Sequence, residues 1–288
     1  MKSSSLKVIV VVGPTASGKS DFAVLLAKEI NGEVISADSR QVYKGLDIGT
    51  GKITEEEMQG VKHYGLSLYD LDEKISVVKY KEDMDKLISD ILSRGKPAII
   101  CGGTGQYIDA LIYKNELPKV KPNQNLRDLL ETYSTEALYD DLLQKDPGRA
   151  QAIDKHNRVR LIRALEIVEE LGTVPLQEEN VLRYETEIYL LSPSKEVLRS
   201  RVLKRVEKRM EQGMLDEVSN VLRMGYTDEA TLKRFGIEYY VLSKYLQGEL
   251  TENETKQILI NKIMQYAKRQ MTWNKKYLPI AQIIEVKE

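Results

Sequence analysis

The sequence predicts an α/β protein in which a parallel sheet is flanked by helices, with a helical insertion in the chain. Three observations lead to this fold class. Strand-like and helix-like segments alternate over roughly the first 100 residues. A glycine-rich turn joins the first strand to the first helix. Beyond about Leu117 the sequence becomes polar and helical before apolar strand character returns.

The first three elements follow one another closely. Leu6–Val12 is rich in β-branched residues and runs into a glycine, which indicates a buried strand. Apolar residues at helical spacing predict a helix over Ser20–Ile30, and Asn31 with Gly32 supplies its end. Glu33–Ser36 is short and mostly apolar, and we predict a second strand there.

The next helix and strand complete the alternation. The spacing of apolar residues predicts a helix over Tyr80–Arg94, which Gly95 ends. Pro97–Cys101 is an apolar strand that runs into Gly102 and Gly103. Strands that alternate with helices in this way pair in parallel, with helices on both faces of the sheet.

The middle of the chain interrupts this pattern. Pro118 and Pro122 end the alternation, and the segment that follows is polar and helical up to Gly172–Pro175. Tyr189–Leu191 returns the chain to the sheet, after which charged helices extend to Trp273. We therefore predict a core built from residues 1–117 and 184–288, and a helical insertion at 118–183.

Composition excludes several classes of protein. The 288 residues carry 43 Lys and Arg against 44 Asp and Glu, a net charge of −1, which argues against binding nucleic acid by bulk positive charge. The single Cys101 excludes a disulfide framework and a cysteine zinc module, and it favours a reducing, cytoplasmic setting. No apolar run approaches the ~20 residues of a membrane span, and Val8–Val12 is too short for a signal-peptide core.

The strongest local motif follows the first strand and opens the first helix. It matches G-x-x-x-x-G-K-[ST] at every fixed position. In this context backbone N–H groups surround phosphate oxygens, the lysine contacts the terminal phosphates, and the last hydroxyl is placed to bind Mg²⁺. A diphosphate or triphosphate site, and a P-loop NTPase-like sheet, are therefore predicted from Gly13, Pro14, Thr15, Ala16, Ser17, Gly18, Lys19 and Ser20.

Two polar segments follow other strands of the predicted sheet. Asp38 comes just after the second strand, where a carboxylate can bind Mg²⁺ or accept a proton from a nucleophile beside the phosphates. The alternative is an Asx turn at the end of a strand. Thr104 lies in the glycine-rich turn after the strand at Pro97–Cys101, and its hydroxyl is either available to a ligand or part of a tight turn.

Positive charge is concentrated in three segments. Residues 155–163 carry +4, residues 199–209 carry +5 and residues 255–284 carry +6, so the remainder of the chain carries −16. Arg160 and Arg163 are three residues apart on one helix face, which suits phosphate binding. The alternative is a solvated face with local ion pairs. The near-zero net charge is therefore compatible with a local basic surface.

Aromatic residues are interleaved with the charges of the last basic segment. Tyr266, Trp273 and Tyr277 lie among its lysines and arginine, as in surfaces that combine backbone contacts with base stacking. The alternative is half-buried packing, and we expect Trp273 to be part of the core.

Taken together, these motifs resemble the tRNA dimethylallyltransferase (tRNA isopentenyltransferase) family. The match extends in order over nearly the whole chain. A phosphate-binding loop is weak support for a family, but the later motifs are specific. The matching segments are GPTASGKS, DSRQVYKGLDIGTGK (Asp38–Lys52), GGTGQYI (Gly102–Ile108), RLIRALEI (Arg160–Ile167), GMLDEV (Gly213–Val218) and QYAKRQMTW (Gln265–Trp273).

The resemblance implies a specific reaction. A dimethylallyl group passes from dimethylallyl diphosphate to the exocyclic amine of the adenosine on the 3′ side of the anticodon in tRNA. The phosphate loop then binds a leaving group, with Mg²⁺ held through Ser20. By this resemblance Asp38 is the base for the amine proton, and Thr15, Lys19 and Arg205 act on the diphosphate.

The resemblance also implies how tRNA is held. The adenine enters the site after leaving its stack, and it contacts a group of residues that includes Asp38. The insertion grips the anticodon stem, so its arginines position phosphates. The partners expected are tRNA, through its anticodon stem-loop, and dimethylallyl diphosphate, with no membrane and a monomeric protein. The implied tRNA-contacting residues are Asp38, Ser39, Arg40, Gln41, Thr104, Arg127, Arg160 and Arg163.

Other functions remain open at this stage. A small-molecule kinase also uses a phosphate loop and arginine-rich helices. The sequence departs from the family's usual pattern at Phe235–Tyr239 and Ile263–Met264, which suggests a paralogue that binds tRNA without catalysis. Prenylation of free adenine nucleotides is a further alternative, but it requires neither the insertion nor the basic C-terminal helix.

Overall fold

The computed structural model describes residues 7–114, 117–175 and 181–287. The chain divides into two compact units. The first contains the residues up to Tyr113 together with those from Leu182 onward, and the second is Lys114–Val181. The predicted insertion, 118–183, begins and ends slightly later in the chain.

Six strands of the described chain form one sheet in the first unit. Every neighbouring pair is parallel, so the predicted α/β fold with a parallel sheet is confirmed. The order across the sheet is β3-β2-β4-β1-β5-β6, and Leu6, the predicted start of the first strand, lies outside the described residues. The strands are β1 (Val8–Val12), β2 (Glu33–Ala37), β3 (His63–Tyr64), β4 (Ala98–Gly102), β5 (Thr186–Pro193) and β6 (Ala281–Val286).

Helices precede and follow the second unit as well as forming it. In the described ranges, none of them is long and apolar enough to cross a bilayer. The first unit begins with α1 (Lys19–Ile30), α2 (Glu55–Met58), α3 (Val77–Ser93) and α4 (Gly105–Ile112). The second unit holds α5 (Gln124–Leu130), α6 (Thr135–Lys145), α7 (Pro147–Ala152) and α8 (Arg158–Leu171). The first unit resumes with α9 (Lys195–Glu211), α10 (Met214–Arg223), α11 (Glu229–Phe235), α12 (Ile237–Leu246) and α13 (Glu252–Asn274).

The sheet is buried on both faces. Alternate residues of β1 belong to two different core clusters, with Val10 and Val12 in one and Ile9 and Val11 in the other. Side chains of a strand alternate between the faces of a sheet, so helices cover both of its sides. This burial explains why β1 is a continuous apolar run without polar alternation.

Three neighbouring strands place the predicted motifs at one edge of the sheet. The order β2-β4-β1 is parallel throughout, so the carboxyl ends of these strands lie side by side. Gly13 follows β1, Asp38 follows β2 and Gly103 follows β4. Ligands of open α/β sheets bind in the crevice at this edge, so the functional site is expected there.

The second unit has its own small core. Leu138 and Leu142 on α6 and Leu161 and Leu165 on α8 are all buried in one cluster. Within each helix the two leucines are four residues apart and so lie on one face of it. Glu166 is buried beside them with only 2% of its surface exposed, which requires compensating partners.

Candidate active site

The phosphate loop turns into α1 through a glycine in the left-handed region. Gly18 has φ of +88° and precedes the first residue of α1, a conformation that glycine adopts without strain. The Lys19 ammonium donates to the Pro14 carbonyl at 2.7 Å. Removal from bulk water is the largest cause that lowers the pKa of Lys19, to about 8. A bound diphosphate would favour the charged form of this lysine.

The structure brings Asp38 to the predicted position and shows an Asx turn as well. One carboxylate oxygen of Asp38 accepts the backbone N–H groups of Arg40 at 2.8 Å and of Gln41 at 3.4 Å. Within the described ranges, the other oxygen has no hydrogen-bond partner. Asp38 lines both of the cavities described below. The turn therefore fixes the carboxylate and leaves one oxygen available to a ligand.

The other polar residues near Asp38 bond mainly to one another. The Thr104 hydroxyl accepts the Ser39 N–H at 3.0 Å and donates to the Ser39 hydroxyl at 3.3 Å, and Arg40 also donates to that hydroxyl. The Gln41 amide oxygen accepts from the Ser36 hydroxyl at 3.1 Å. Any contact of these groups with a base therefore competes with bonds inside the protein.

Helix α9 adds two arginines to the phosphate loop. Arg205 donates from Nη1 to the Thr15 hydroxyl at 3.2 Å, and Arg201 donates to the Ser17 carbonyl at 3.3 Å. Burial lowers the pKa of Arg205 from its usual value, but an arginine remains charged under ordinary conditions. The structure thus places Arg205 at the loop, as the resemblance implied. Arg201 was not among the predicted site residues, because nothing in the spacing of its helix distinguished it from its neighbours.

Gln270 on α13 was missed by the sequence reasoning. Its amide oxygen accepts the Thr15 backbone N–H at 2.7 Å, and its amide nitrogen donates to the Gly103 carbonyl at 3.0 Å. It is only 6% exposed. Gln270 therefore bridges the phosphate loop and the turn after β4. The only available signal was its place in the QYAKRQ motif.

Two cavities of the first unit meet at Asp38. The first has a volume of about 470 Å³ and is lined by the phosphate loop, Arg201 and Arg205. The second has a volume of about 400 Å³ and is lined by basic and apolar side chains that include Arg40 and Phe235. Four residues line both cavities, namely Thr15, Asp38, Thr50 and Tyr266.

The residues present fit Mg²⁺ in company with a phosphate ligand. Ser20 is exposed, and Ser20 and Asp38 both line the first cavity. Protein sites for Mg²⁺ commonly supply one or two oxygen ligands and leave the rest to phosphates and water. In the described part of the chain, no cluster of three or more His, Cys, Asp or Glu could hold a metal without a ligand.

In the second unit, two of the three predicted arginines are held by a buried acid. Arg127 forms two hydrogen bonds with the Glu166 carboxylate, at 2.8 and 2.7 Å. Arg163 lies 3.4 Å from the same carboxylate and donates to the Val120 carbonyl at 2.8 Å. Arg160 is exposed; its backbone N–H donates to the Asn157 side chain at 3.2 Å, but its guanidinium forms no hydrogen bond or ion pair with the described residues. Arg160 is therefore the arginine of this set most available to a phosphate.

The C-terminal aromatic residues differ in burial. Tyr277 is fully buried and donates to Asp109 at 2.6 Å. Trp273 is 36% exposed, and the Lys276 ammonium lies 4.4 Å from the centre of its ring. The expectation that Trp273 belongs to the core was therefore wrong, because only part of its ring packs against the turn that contains Gly105.

Comparison with known proteins agrees with this geometry. The model of a family described as IPP transferase matches residues 41–277. The tRNA dimethylallyltransferase of Thermoanaerobacter sp. (strain X514) is 39% identical over 285 residues, which cover 95% of this chain and 90% of the relative. The enzyme of the same name from Acetivibrio thermocellus is 41% identical over 279 residues, which cover 93% of this chain and 88% of the relative.

Solved structures show the same similarity. The full-length tRNA isopentenylpyrophosphate transferase from Bacillus halodurans has a TM-score of 0.73 at 36% identity, covering 97% of this chain and 90% of that one. A eukaryotic dimethylallyltransferase acting on tRNA has a TM-score of 0.87 at 28% identity, covering 99% of this chain and 75% of that one. On the family match and the identity over almost its full length, this chain belongs to the IPP transferase family, whose relatives are tRNA dimethylallyltransferases.

Proposed function

We propose that this protein transfers a dimethylallyl group from dimethylallyl diphosphate to the exocyclic amine of the adenosine on the 3′ side of the anticodon in tRNA. The observation that carries the proposal is the meeting of two cavities at Asp38. One cavity contains a phosphate loop and suits a diphosphate. The other is lined by the same residue and by basic and apolar side chains, and it suits the acceptor base.

On the donor side, the protein stabilises a leaving group. The allylic carbon–oxygen bond breaks and its electron pair goes to the diphosphate, so negative charge grows on the phosphate oxygens. The loop N–H groups, the Lys19 ammonium and the Arg205 guanidinium surround that position. Donors that are already in place stabilise such charge without reorganisation at the moment of reaction.

On the acceptor side, Asp38 removes a proton. The adenine amine forms a bond to the allylic carbon with its lone pair, and the nitrogen then loses one proton. The free oxygen of Asp38 accepts that proton, while the other oxygen stays in the turn with Arg40 and Gln41. The base reaches this position only by leaving its stack, which RNA loops permit at small cost.

Mg²⁺ belongs to this proposal as the ion that accompanies the diphosphate. Ser20 would hold it, with Asp38 near enough in the same cavity to contribute through water. When bound, such an ion supplies Lewis-acid stabilisation of the departing diphosphate. A monomeric state and a cytoplasmic location are part of the same proposal, and the single, buried, free Cys101 supports the location, since it suits a reducing setting.

The second unit would position the tRNA. The guanidinium of Arg160 is exposed and has no partner among the described residues, so it can neutralise a phosphate without breaking a bond to any of them. Arg127 and Arg163 retain partly exposed guanidiniums, with 36% and 33% of their side-chain surface accessible, so they can reach a phosphate while bound to Glu166. Phosphate contacts of this kind fix the position of the tRNA on the protein, and the active site then selects the base.

The test is the identity of the product. Purified protein is incubated with dimethylallyl diphosphate, Mg²⁺ and unmodified tRNA, and the nucleosides are analysed by mass spectrometry. We expect a dimethylallyl-modified adenosine and one diphosphate released per modification. Transfer of the ATP γ-phosphate to a small molecule would instead identify a kinase. Tight tRNA binding without modified nucleoside would identify a binding paralogue, and modification of free adenine nucleotide but not tRNA would overturn the acceptor.

A further inference from the structure

The loop of residues 47–51 separates the two cavities. Thr50 lines both of them, Gly51 lines the first and Gly49 lines the second. The loop lies outside the sheet. Two backbone hydrogen bonds close it, from Gly51 to Ile48 at 3.0 Å and from Lys52 to Asp47 at 2.9 Å, and side chains fix its place against the rest of the unit. Because it forms part of the wall on each side, a change in its position alters both cavities.

Glu217 on α10 holds one end of this loop. Its carboxylate accepts the backbone N–H groups of Asp47 at 2.9 Å, Ile48 at 2.8 Å and Gly49 at 2.8 Å, and the Tyr239 hydroxyl at 2.6 Å. Four donors thus converge on two oxygens. Glu217 lines neither cavity, so it has no direct contact with a ligand bound in them.

The other end of the loop packs against the arginines of α9. Gly51 has φ of +62°, and a side-chain carbon built on it would overlap the guanidiniums of Arg205 and Arg209. Arg209 donates to the Gly49 carbonyl at 3.2 Å, while Arg205 donates to Thr15 of the phosphate loop. The position of Arg205 is therefore limited by the loop that Glu217 holds.

Because Arg205 and Arg209 are buried close together, their positions depend on the 47–51 loop. Arg209 is only 8% exposed, and its Nη2 has no hydrogen-bond partner in the described part of the chain. Two like charges that are close together repel, so each needs a fixed neighbour to keep its place. The loop carbonyl and Glu238, 3.4 Å from Arg209, provide this for Arg209. The loop thereby also keeps Arg205 directed at Thr15.

We infer that Glu217 is a positioning residue for the diphosphate site, acting through the 47–51 loop on Arg205. This rests on the proposed function in one respect, namely that the first cavity binds a diphosphate. A carboxylate is required because it only accepts hydrogen bonds, whereas a glutamine would turn an NH₂ group toward the loop N–H donors. The competing explanation is that Glu217 stabilises the fold alone.

The test compares three single variants of the full chain. Glu217→Gln removes one acceptor, Tyr239→Phe removes only the hydroxyl that supports Glu217, and Glu211→Gln makes the same chemical change at an exposed position. Inorganic pyrophosphate with Mg²⁺ is the probe, and calorimetry measures its affinity. We expect Glu217→Gln to weaken binding by about ten-fold or more, Tyr239→Phe by about three-fold, and Glu211→Gln not at all.

Steady-state kinetics separates positioning from folding. Positioning predicts that Glu217→Gln raises the KM for the donor and, because Arg205 also stabilises the departing diphosphate, lowers kcat as well, with a normal melting transition. Loss of fold alone would lower the active fraction, and thus apparent kcat, at an unchanged KM. Wild-type affinity for pyrophosphate in a folded Glu217→Gln protein would overturn the inference. If that variant does not fold, an unchanged affinity in Tyr239→Phe overturns it.

Because pyrophosphate binding requires no turnover, the two proposals fail differently. Wild-type protein that binds pyrophosphate but modifies no tRNA contradicts the proposed function and leaves the role of Glu217 to be decided by the variants. Wild-type protein that does not bind pyrophosphate contradicts both.

Discussion

The charge on Lys19 is predicted to control diphosphate affinity above pH 8. The pKa of this lysine is lowered to about 8, mainly by burial and to a smaller extent by the neighbouring Arg205, with Cys101 and Asp38 acting in the opposite direction. A bound diphosphate stabilises the ammonium, so only protein with a protonated Lys19 binds well. Affinity then falls as pH rises through 8, by about ten-fold between pH 7 and pH 9, or about 1.4 kcal/mol.

The matched variant is Lys19→Arg, whose guanidinium stays charged throughout this range. Calorimetric titration with pyrophosphate and Mg²⁺ from pH 7 to pH 9 measures both affinities, and ionisation of the ligand contributes equally to the two proteins. The ratio of wild-type to variant affinity should fall about ten-fold over this range. At pH 8 the wild type should also take up about half a proton more per ligand, measured in buffers of different ionisation enthalpy. A ratio that does not change with pH would refute the reasoning.

Three further changes test other parts of the structure. Gly51→Ala should raise the donor KM by about ten-fold, since the new methyl group displaces Arg205 and strains the backbone. Arg160→Ala should weaken tRNA binding and reduce the slope of log affinity against log salt by about one phosphate contact, measured by filter binding at several salt concentrations. Glu33 is 1% exposed, and its bond to Arg94 is the main cause that lowers its pKa to about 2. Its ionised form should therefore contribute about 3 kcal/mol to the free energy of unfolding above pH 4.5, lost as pH falls toward 2, and Glu33→Gln should flatten that dependence in denaturant titrations.

Each of these has a control in the same chain. Gly45→Ala introduces the same backbone strain where no atom lies within 4 Å, and an equal rise in donor KM there would contradict the role given to Gly51. For Arg160→Ala the comparison is of stability: Arg127→Ala removes a partner of the buried Glu166 and should destabilise the protein by about 3 kcal/mol or more, whereas Arg160→Ala removes no such partner and should not. An unchanged salt slope in Arg160→Ala favours a solvated helix face. For Glu33, a stability that does not vary between pH 4.5 and 2 contradicts the lowered pKa.

The sequence was informative where short-range pattern determines structure. The run Val8–Val12 and the motif after it specify a strand, a phosphate loop and a helix, because β-branched residues, glycines and apolar spacing act locally. Asp38 was placed correctly at the crevice, since the carboxyl ends of neighbouring parallel strands share one edge. Strand β6 was not predicted, because Ala281–Val286 lies at the edge of the sheet and none of its residues is fully buried.

The contacts that complete the site could not be predicted in the same way. Gln270 and Thr15 are 255 positions apart, and Glu217 and Gly49 are 168 apart, so no local periodicity links them. The pairing of Arg127 with a buried Glu166 could not be predicted either, because the sequence of a helix does not show which charged residue of another helix will lie beside it. Such pairings follow from packing, which only the folded chain determines.

The most direct measurement is the single-turnover rate of Asp38→Asn, compared with its affinity for pyrophosphate. Asparagine retains an oxygen that can accept hydrogen bonds from the Arg40 and Gln41 N–H groups. The turn therefore persists, while the carboxylate that accepts the proton is removed. We predict that transfer of the dimethylallyl group to tRNA falls by about 100-fold or more, while pyrophosphate affinity stays within about three-fold of wild type. Near-normal transfer, or a loss of pyrophosphate binding equal to the loss of rate, would contradict the assignment of Asp38 as the base between the two cavities.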